Sequence, residues 1–244
     1  MTQIFGSYSH GKIGGYRMSN LVVFGDSWAY GDELTEYEKP YGQLIAEHLG
    51  YNYFNYARIG SSIPALVLQL KKYINDHPDE DTTAIFFLTD YSRTVAWENE
   101  KEINVIASGA PGDKDAVWFD THLDSDYYKF YHDEFGIFQA ENILMALQFI
   151  CKRYNIKDYY IIGWTKWDID TIGVDVDKIY MEGKKSCLEL FSDEDDPINP
   201  PIKKSITQFY NLYNYDKFIA PKACHPNQLG HKTIANALIE WINK

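Results

Sequence analysis

Short apolar runs of strand length alternate with amphipathic helical stretches along this chain. That alternation predicts an α/β fold of three layers, α/β/α, with a mostly parallel sheet of about five strands between two sets of helices. Two further observations agree. The chain has 244 residues, enough for one substantial domain and short for two. Hydrophobic residues make up 45% and charged residues 24%, which supplies the apolar surface needed to offset the conformational entropy of folding.

Leu21 to Phe24 reads as a short buried strand ending in Gly25-Asp26-Ser27. From Pro40 to Leu49, the residues Tyr41, Leu44, Ile45, His48 and Leu49 fall at helical spacing, with Gly50 as the stop. Tyr51 to Tyr56 is aromatic and strand-like, and Arg58-Ile59-Gly60-Ser61-Ser62 follows it. Ile63, Leu66, Val67, Leu70 and Ile74 mark the next helix face, and Ala84 to Leu88 is the clearest buried strand. A helix from about Ala140 to Tyr154 feeds a strand from Tyr159 to Gly163, Lys217 to Ile219 is a short fifth strand, and a last helix runs from about Lys232 to Ile242. Residues 1–20 read as an N-terminal arm and 21–244 as one domain. Two long segments, about 91–138 and 164–213, leave from strand carboxyl ends and read as insertions that shape a site there.

Composition excludes several functions. The formal charge is −12, from 23 Lys and Arg against 35 Asp and Glu, and no basic cluster exceeds two in a row, so a nucleic-acid partner is not expected. Cys151, Cys187 and Cys224 form no pair at metal or redox spacing, which fits a reducing compartment. No stretch approaches the length of a membrane span, and the first twenty residues lack the apolar core of a secretory signal; the expected location is cytoplasmic, with no membrane partner. Asp168, Asp170, Asp175 and Asp177 resemble a calcium loop only superficially, because Ile172 and Ile179 occupy ligand positions. No metal or organic cofactor is expected.

Ser27 carries the chemistry. A serine placed just after a strand, on a turn that Gly25 permits, exposes its hydroxyl at the sheet's carboxyl edge, where a nucleophile is useful. Near the end of the chain, His225 is followed by Pro226 and enters the last helix, which can hold an imidazole rigidly enough to serve as a general base. His231 is the competing histidine, and the following proline favours His225.

Together, Gly25-Asp26-Ser27, the Gly60 turn after the second strand, Phe87-Leu88-Thr89-Asp90 after the third and His225-Pro226-Asn227 resemble the blocks of the SGNH (GDSL) hydrolase family. They occur in the family's order from residue 21 to 242. The resemblance implies a flavodoxin-like sheet and a serine esterase that forms an acyl-enzyme. Ser27 would be the nucleophile and His225 the base, with Ser27, Gly60 and Thr89 forming the oxyanion hole. Two positions depart from the family. Thr89 stands where an asparagine donor is expected, and Lys222 stands three residues before His225, where the family has a carboxylate. A Ser27–His225 dyad, a backbone carbonyl as orienter, or a carboxylate such as Asp216 are the arrangements left open.

The substrate-contact candidates are Asp26, Trp28, Arg58, Asp90, Arg93 and Trp164. The two arginines would favour an anionic substrate if they faced the pocket. Aromatic residues form 16% of the chain, and Trp28, Tyr30, Tyr91, Trp97, Trp164 and Trp167 gather near strand carboxyl ends, a composition suited to stacking on sugars. The expected reaction is hydrolysis of a short-acyl ester, such as an O-acetyl group on a saccharide. The rival readings are a catalytically impaired binding module on the same fold and a lipid or thioester hydrolase; acidic residues in the insertions argue against the latter.

Overall fold

The computed structural model describes residues 18–98, 101–105, 131–164, 166–170, 172–191 and 225–244. Four strands, β1 (Asn20–Phe24), β2 (Asn52–Asn55), β3 (Thr82–Leu88) and a later one, Lys157–Ile162, form a sheet ordered β2-β1-β3-Lys157–Ile162, and every pairing is parallel. Between β3 and that last strand lies a feature the sequence reading did not anticipate. Strands β4 (Thr94–Glu98) and β5 (Lys101–Val105) pair antiparallel as a separate hairpin inside the first insertion. The Lys157–Ile162 strand is therefore β6. The expected fifth strand at Lys217–Ile219 lies outside the described residues, as do Asp216, Lys222, Cys224 and residues 1–17.

The helices are α1 (Ser27–Tyr30), α2 (Tyr41–Leu49), α3 (Ala65–Asp76), α4 (Asp133–Arg153) and α5 (Gln228–Ile242). Both faces of the sheet are covered, so its strands carry apolar residues at consecutive positions, and the two-residue period sorts them between two cores. Leu21, Val23, Ile85, Phe87 and Ile161 face α2 and α5, where they meet Tyr41, Ile45, Ile234 and Leu238. Val22, Phe24, Ala84, Phe86, Leu88, Tyr160 and Ile162 face α3 and α4, against Leu66, Leu70, Tyr73, Leu144, Leu147 and Cys151. Phe86 stacks between Phe24 and Tyr160 at centroid distances of 4.8 and 4.9 Å. Each such fully buried side chain contributes about 1.5–3 kcal/mol. On the other face α2 lies directly on β1: a Cβ at Gly42 would sit 2.3 Å from Val23 Cγ2.

The described part of the second insertion joins both cores: Trp167, Val174 and Ile179 pack into the second, and Tyr180, Cys187, Leu188 and Phe191 into the first. Three single-turn helices (Val176–Lys178, Tyr180–Gly183 and Leu188–Phe191) follow β6. Cys187 and Leu188 donate backbone N–H bonds to Ile162 and Gly163, and Ile179 bridges Tyr160 at the sheet edge. Among the described residues, no helix is long and apolar enough to cross a membrane.

In a sheet ordered 2-1-3, the connections after β1 and β3 leave toward opposite faces, which opens a crevice at their carboxyl ends. Ser27 follows β1 at that crevice.

Candidate active site

Gly25 ends β1 with φ +156, and a Cβ there would lie 2.6 Å from Ala29 Cβ and 2.8 Å from Phe87 Cβ. Only glycine fits. The turn is fastened from α3: the buried amide of Gln69 accepts from Gly25 N–H at 3.0 Å, donates to its carbonyl at 3.0 Å, and donates to Ser61 Oγ at 2.8 Å. Gln69 falls on the same face as Leu66, Leu70 and Tyr73, and a glutamine on an otherwise apolar stripe is the signal that identifies it. Arg58 N–H donates to Gly25 O at 3.0 Å, which brings the Gly60 loop beside the serine turn. In that loop Ser61 N–H bonds back to Arg58 O, and Gly60 at the third position has φ +73, the left-handed geometry a glycine supplies without strain.

Ser27 is the first residue of α1 and is 9% exposed. Asp26 caps this helix, its Oδ1 accepting Trp28 N–H at 3.0 Å. Its other oxygen is the centre of a convergent set. Oδ2 accepts from Thr89 Oγ1 at 2.7 Å, from Arg93 Nη1 at 3.1 Å and from Trp164 Nε1 at 3.3 Å. Asp26 is wholly buried. Three expected site residues therefore brace the Gly25-Asp26-Ser27 turn through this carboxylate. The Thr89 hydroxyl and the Trp164 N–H are engaged there, and Arg93 is ion-paired with Asp26 while reaching Ser61 O at 3.4 Å.

Trp28, expected among the substrate contacts, is instead fully buried, packed against Phe87, Trp164 and Phe191, because its side chain leaves α1 toward the sheet. Asp90 turns back on its own loop, its Oδ1 accepting Ser92 N–H at 2.8 Å. The Arg58 side chain is exposed. Tyr30, at the end of α1, is 42% exposed, whereas Trp167 is buried edge-on against Tyr91.

The last block is laced to the loop that follows α1. Asp32 N–H donates to Ser27 O at 3.0 Å. Gln228, in the first turn of α5, holds both backbone groups of Lys39, at 2.7 and 3.0 Å. His231 Nδ1 accepts Tyr41 N–H at 3.2 Å and so caps α2, whose own N-cap, Pro40, has no side-chain acceptor. Between these anchors His225 meets two carboxylates. Its Nδ1 lies 2.9 Å from Glu33 Oε2 and its Nε2 3.8 Å from Asp32 Oδ2. Among the described residues, the imidazole makes no hydrogen bond to Ser27 Oγ. Neither acid was among the expected site residues, and their signal in the sequence is a pair of carboxylates five and six residues after the serine.

The two described cysteines are not activated. Burial pushes the Cys151 and Cys187 thiols well up, and the charges of Asp158 and Asp26 respectively add to the effect, so neither offers a thiolate. His231 is held neutral: burial lowers its pKa to about 4, opposed by the Glu38 charge and reinforced by His225. With Tyr41 N–H donating to Nδ1, its proton sits on Nε2. Because the folded value lies below the ordinary 6.5, the stabilisation is complete above pH 6.5 and is lost as pH falls toward 4. Thermal melts from pH 7.5 to 4.5 are expected to show a loss of about 3 kcal/mol in that window. A His231→Gln variant, though less stable throughout, will lack that component.

No family model and no curated protein matches the chain. Solved structures do. A G-D-S-L family protein from Desulfitobacterium hafniense superposes with TM-score 0.49 at 9% identity, covering 91% of this chain and 99% of the other. A G-D-S-L family member from Veillonella parvula gives 0.45 at 11% identity, covering 91% and 97%. A catalytic mutant of an acetylxylan esterase from Geobacillus stearothermophilus gives 0.46 at 17% identity, covering 93% and 94%. The chain, a mostly parallel α/β sheet with flanking helices, is thus similar over most of its length to solved structures of the SGNH (G-D-S-L) hydrolase family.

Proposed function

We propose that this protein hydrolyses esters through Ser27, with His225 as general base, and that its substrate is a short-acyl ester such as an O-acetylated saccharide. One observation carries the reading. Ser27 stands at the switch point of the sheet, on a turn fixed by Gly25, Gln69 and Asp26, while His225 lies beside the loop that is hydrogen-bonded to Ser27's own carbonyl. His225 takes the Ser27 proton, Ser27 Oγ attacks the ester carbonyl, and the backbone N–H groups of Ser27 and Gly60 hold the oxyanion. Protonation by His225 releases the alcohol. Water, deprotonated by His225, then cleaves the acyl-enzyme. Asp26, Thr89 and Arg93 keep the serine turn in place, and the exposed ring of Tyr30 supports stacking on a sugar.

A second reading rests on the imidazole facing Glu33 and Asp32 while making no bond to Ser27 Oγ: a binding module that keeps the cleft without the chemistry. Catalytic hydrogen bonds commonly tighten only around bound substrate, so labelling decides between the readings. Reaction with a fluorophosphonate, read by intact-protein mass, is expected to add one adduct to the parent chain and none to Ser27→Ala. No adduct on either would establish the binding module.

A further inference from the structure

We propose that Glu33 is the carboxylate that orients His225, taking the place of the acid that Lys222 displaces three residues before the histidine. The inference rests on the hydrolase reading for its catalytic consequence, but its structural half stands alone.

The geometry is that of an orienting pair. Glu33 Oε2 lies 2.9 Å from Nδ1, and the His225 side chain is 19% exposed. A carboxylate accepts only, so the pair fixes the proton on Nδ1 and leaves the Nε2 lone pair to act as base. When Nε2 takes up a proton, Glu33 stabilises the imidazolium. Asp32 lies on the other ring nitrogen at 3.8 Å, too far for a hydrogen bond.

Glu33 reaches this place through an unfavourable backbone. Its φ is +65, in the left-handed region that non-glycine residues rarely occupy, and Asp32 Oδ1 accepts its N–H at 3.1 Å. Such a conformation persists where its surroundings impose it, often at functional sites. Here the surroundings are explicit. Gly31 and Asp32 N–H both bond Ser27 O at 3.0 Å on one side, and the Gln228 and His231 contacts to Lys39 and Tyr41 tie the other side to α5, whose N-cap Asn227 lies two residues after His225. Acid and base thus come from segments 192 residues apart, and the loop that follows Ser27's own helix supplies the acid.

Two readouts test this on the full-length chain. Long-range proton–nitrogen correlation of the neutral histidine rings is expected to show His225 as the Nδ1–H tautomer in the parent. In Glu33→Ala the population should move to Nε2–H. This holds whether or not the protein is an enzyme. An Nε2–H parent, or a tautomer unmoved in Glu33→Ala, overturns the proposal.

If Ser27 is labelled in the parent, Glu33→Ala should slow labelling by about 100-fold, less than the roughly 10⁴-fold that neutralising a buried orienting carboxylate costs. Glu33→Gln should fall between the two, and on an ester substrate kcat should drop with KM unchanged. Equal labelling rates in parent and Glu33→Ala, or a loss in Asp32→Asn alone, overturn the assignment. An unlabelled parent with the expected tautomer shift sinks the hydrolase reading and leaves the Glu33–His225 pair standing.

Discussion

Ser27→Ala, His225→Ala and the double variant are expected to lose ester hydrolysis to a common floor, each falling on the order of 10⁴- to 10⁶-fold in kcat. Removing the hydroxyl removes the attacking atom. Removing the imidazole leaves a hydroxyl with nowhere to send its proton, so the two losses are the same loss counted from different ends. They should therefore be grossly non-additive. A loss near 10⁵-fold corresponds to about 7 kcal/mol of transition-state stabilisation. What remains above the uncatalysed rate would come from substrate binding and the backbone donors of the Gly60 turn. The measurement is turnover of an activated acetyl ester by the four proteins, with melting curves as the control for folding. Ser27 is the first residue of a single-turn helix capped by Asp26, and its hydroxyl holds no part of that cap, so the alanine variant should melt as the parent does. A double variant much worse than either single one would mean that Ser27 and His225 act separately. That result would remove the acyl-enzyme from the account.

The sheet was legible because parallel strands covered on both faces carry continuous apolar runs, as β1 does from Leu21 to Phe24 and β3 from Ala84 to Leu88. Helix beginnings were harder to read. The stripe from Ile143 to Tyr154 located α4, but the helix starts two turns before the expected Ala140, at Asp133, with His132 as its cap and two acids in its first turn. Gly136 hid that start. A glycine inside a helix usually argues against one, yet here any Cβ would meet Tyr131 and the Tyr91 carbonyl, so close packing requires it. Likewise α5 begins at Gln228 and not near Lys232, because Asn227 caps Gly230 N–H and draws the Gln228-Leu229-Gly230 turn into the helix. Helix α1, four residues long, is too short to show a period.

At the site, residue types could be read but partners could not. A hydroxyl at position 89 suggests a donor to substrate. Only the fold shows it donating to a buried carboxylate 63 residues away. Glu33 is separated from His225 by 192 residues, and no local pattern signals that pairing.

Asp26→Ala is expected to be the most destabilising single change at the site, by about 3–5 kcal/mol. The reason is asymmetry. A buried ion pair gains little over apolar packing when it forms, because desolvating both charges offsets their attraction, but removing one partner leaves the other charge buried and uncompensated. Asp26 is wholly buried and the Arg93 side chain is 17% exposed, so in the alanine variant the guanidinium keeps most of its desolvation cost and loses its counter-charge. The Thr89 hydroxyl, the Trp164 indole N–H and the Trp28 backbone N–H lose the same acceptor. For a chain of this length each kcal/mol lowers Tm by about 2–4 °C, so a fall of about 6–20 °C should be seen in a thermal melt. Asp26→Asn retains the shape and one acceptor, and should cost roughly half as much. The decisive comparison adds Arg93→Met. If the buried guanidinium is the main cost, Asp26→Ala/Arg93→Met will be more stable than Asp26→Ala, a coupling that only partners in direct contact display. If the double variant is instead the sum of the single ones, the stability resides in the cap of α1 and not in the ion pair. In either case the nucleophile turn loosens, so Ser27 labelling should slow in Asp26→Ala even at temperatures where the protein remains folded.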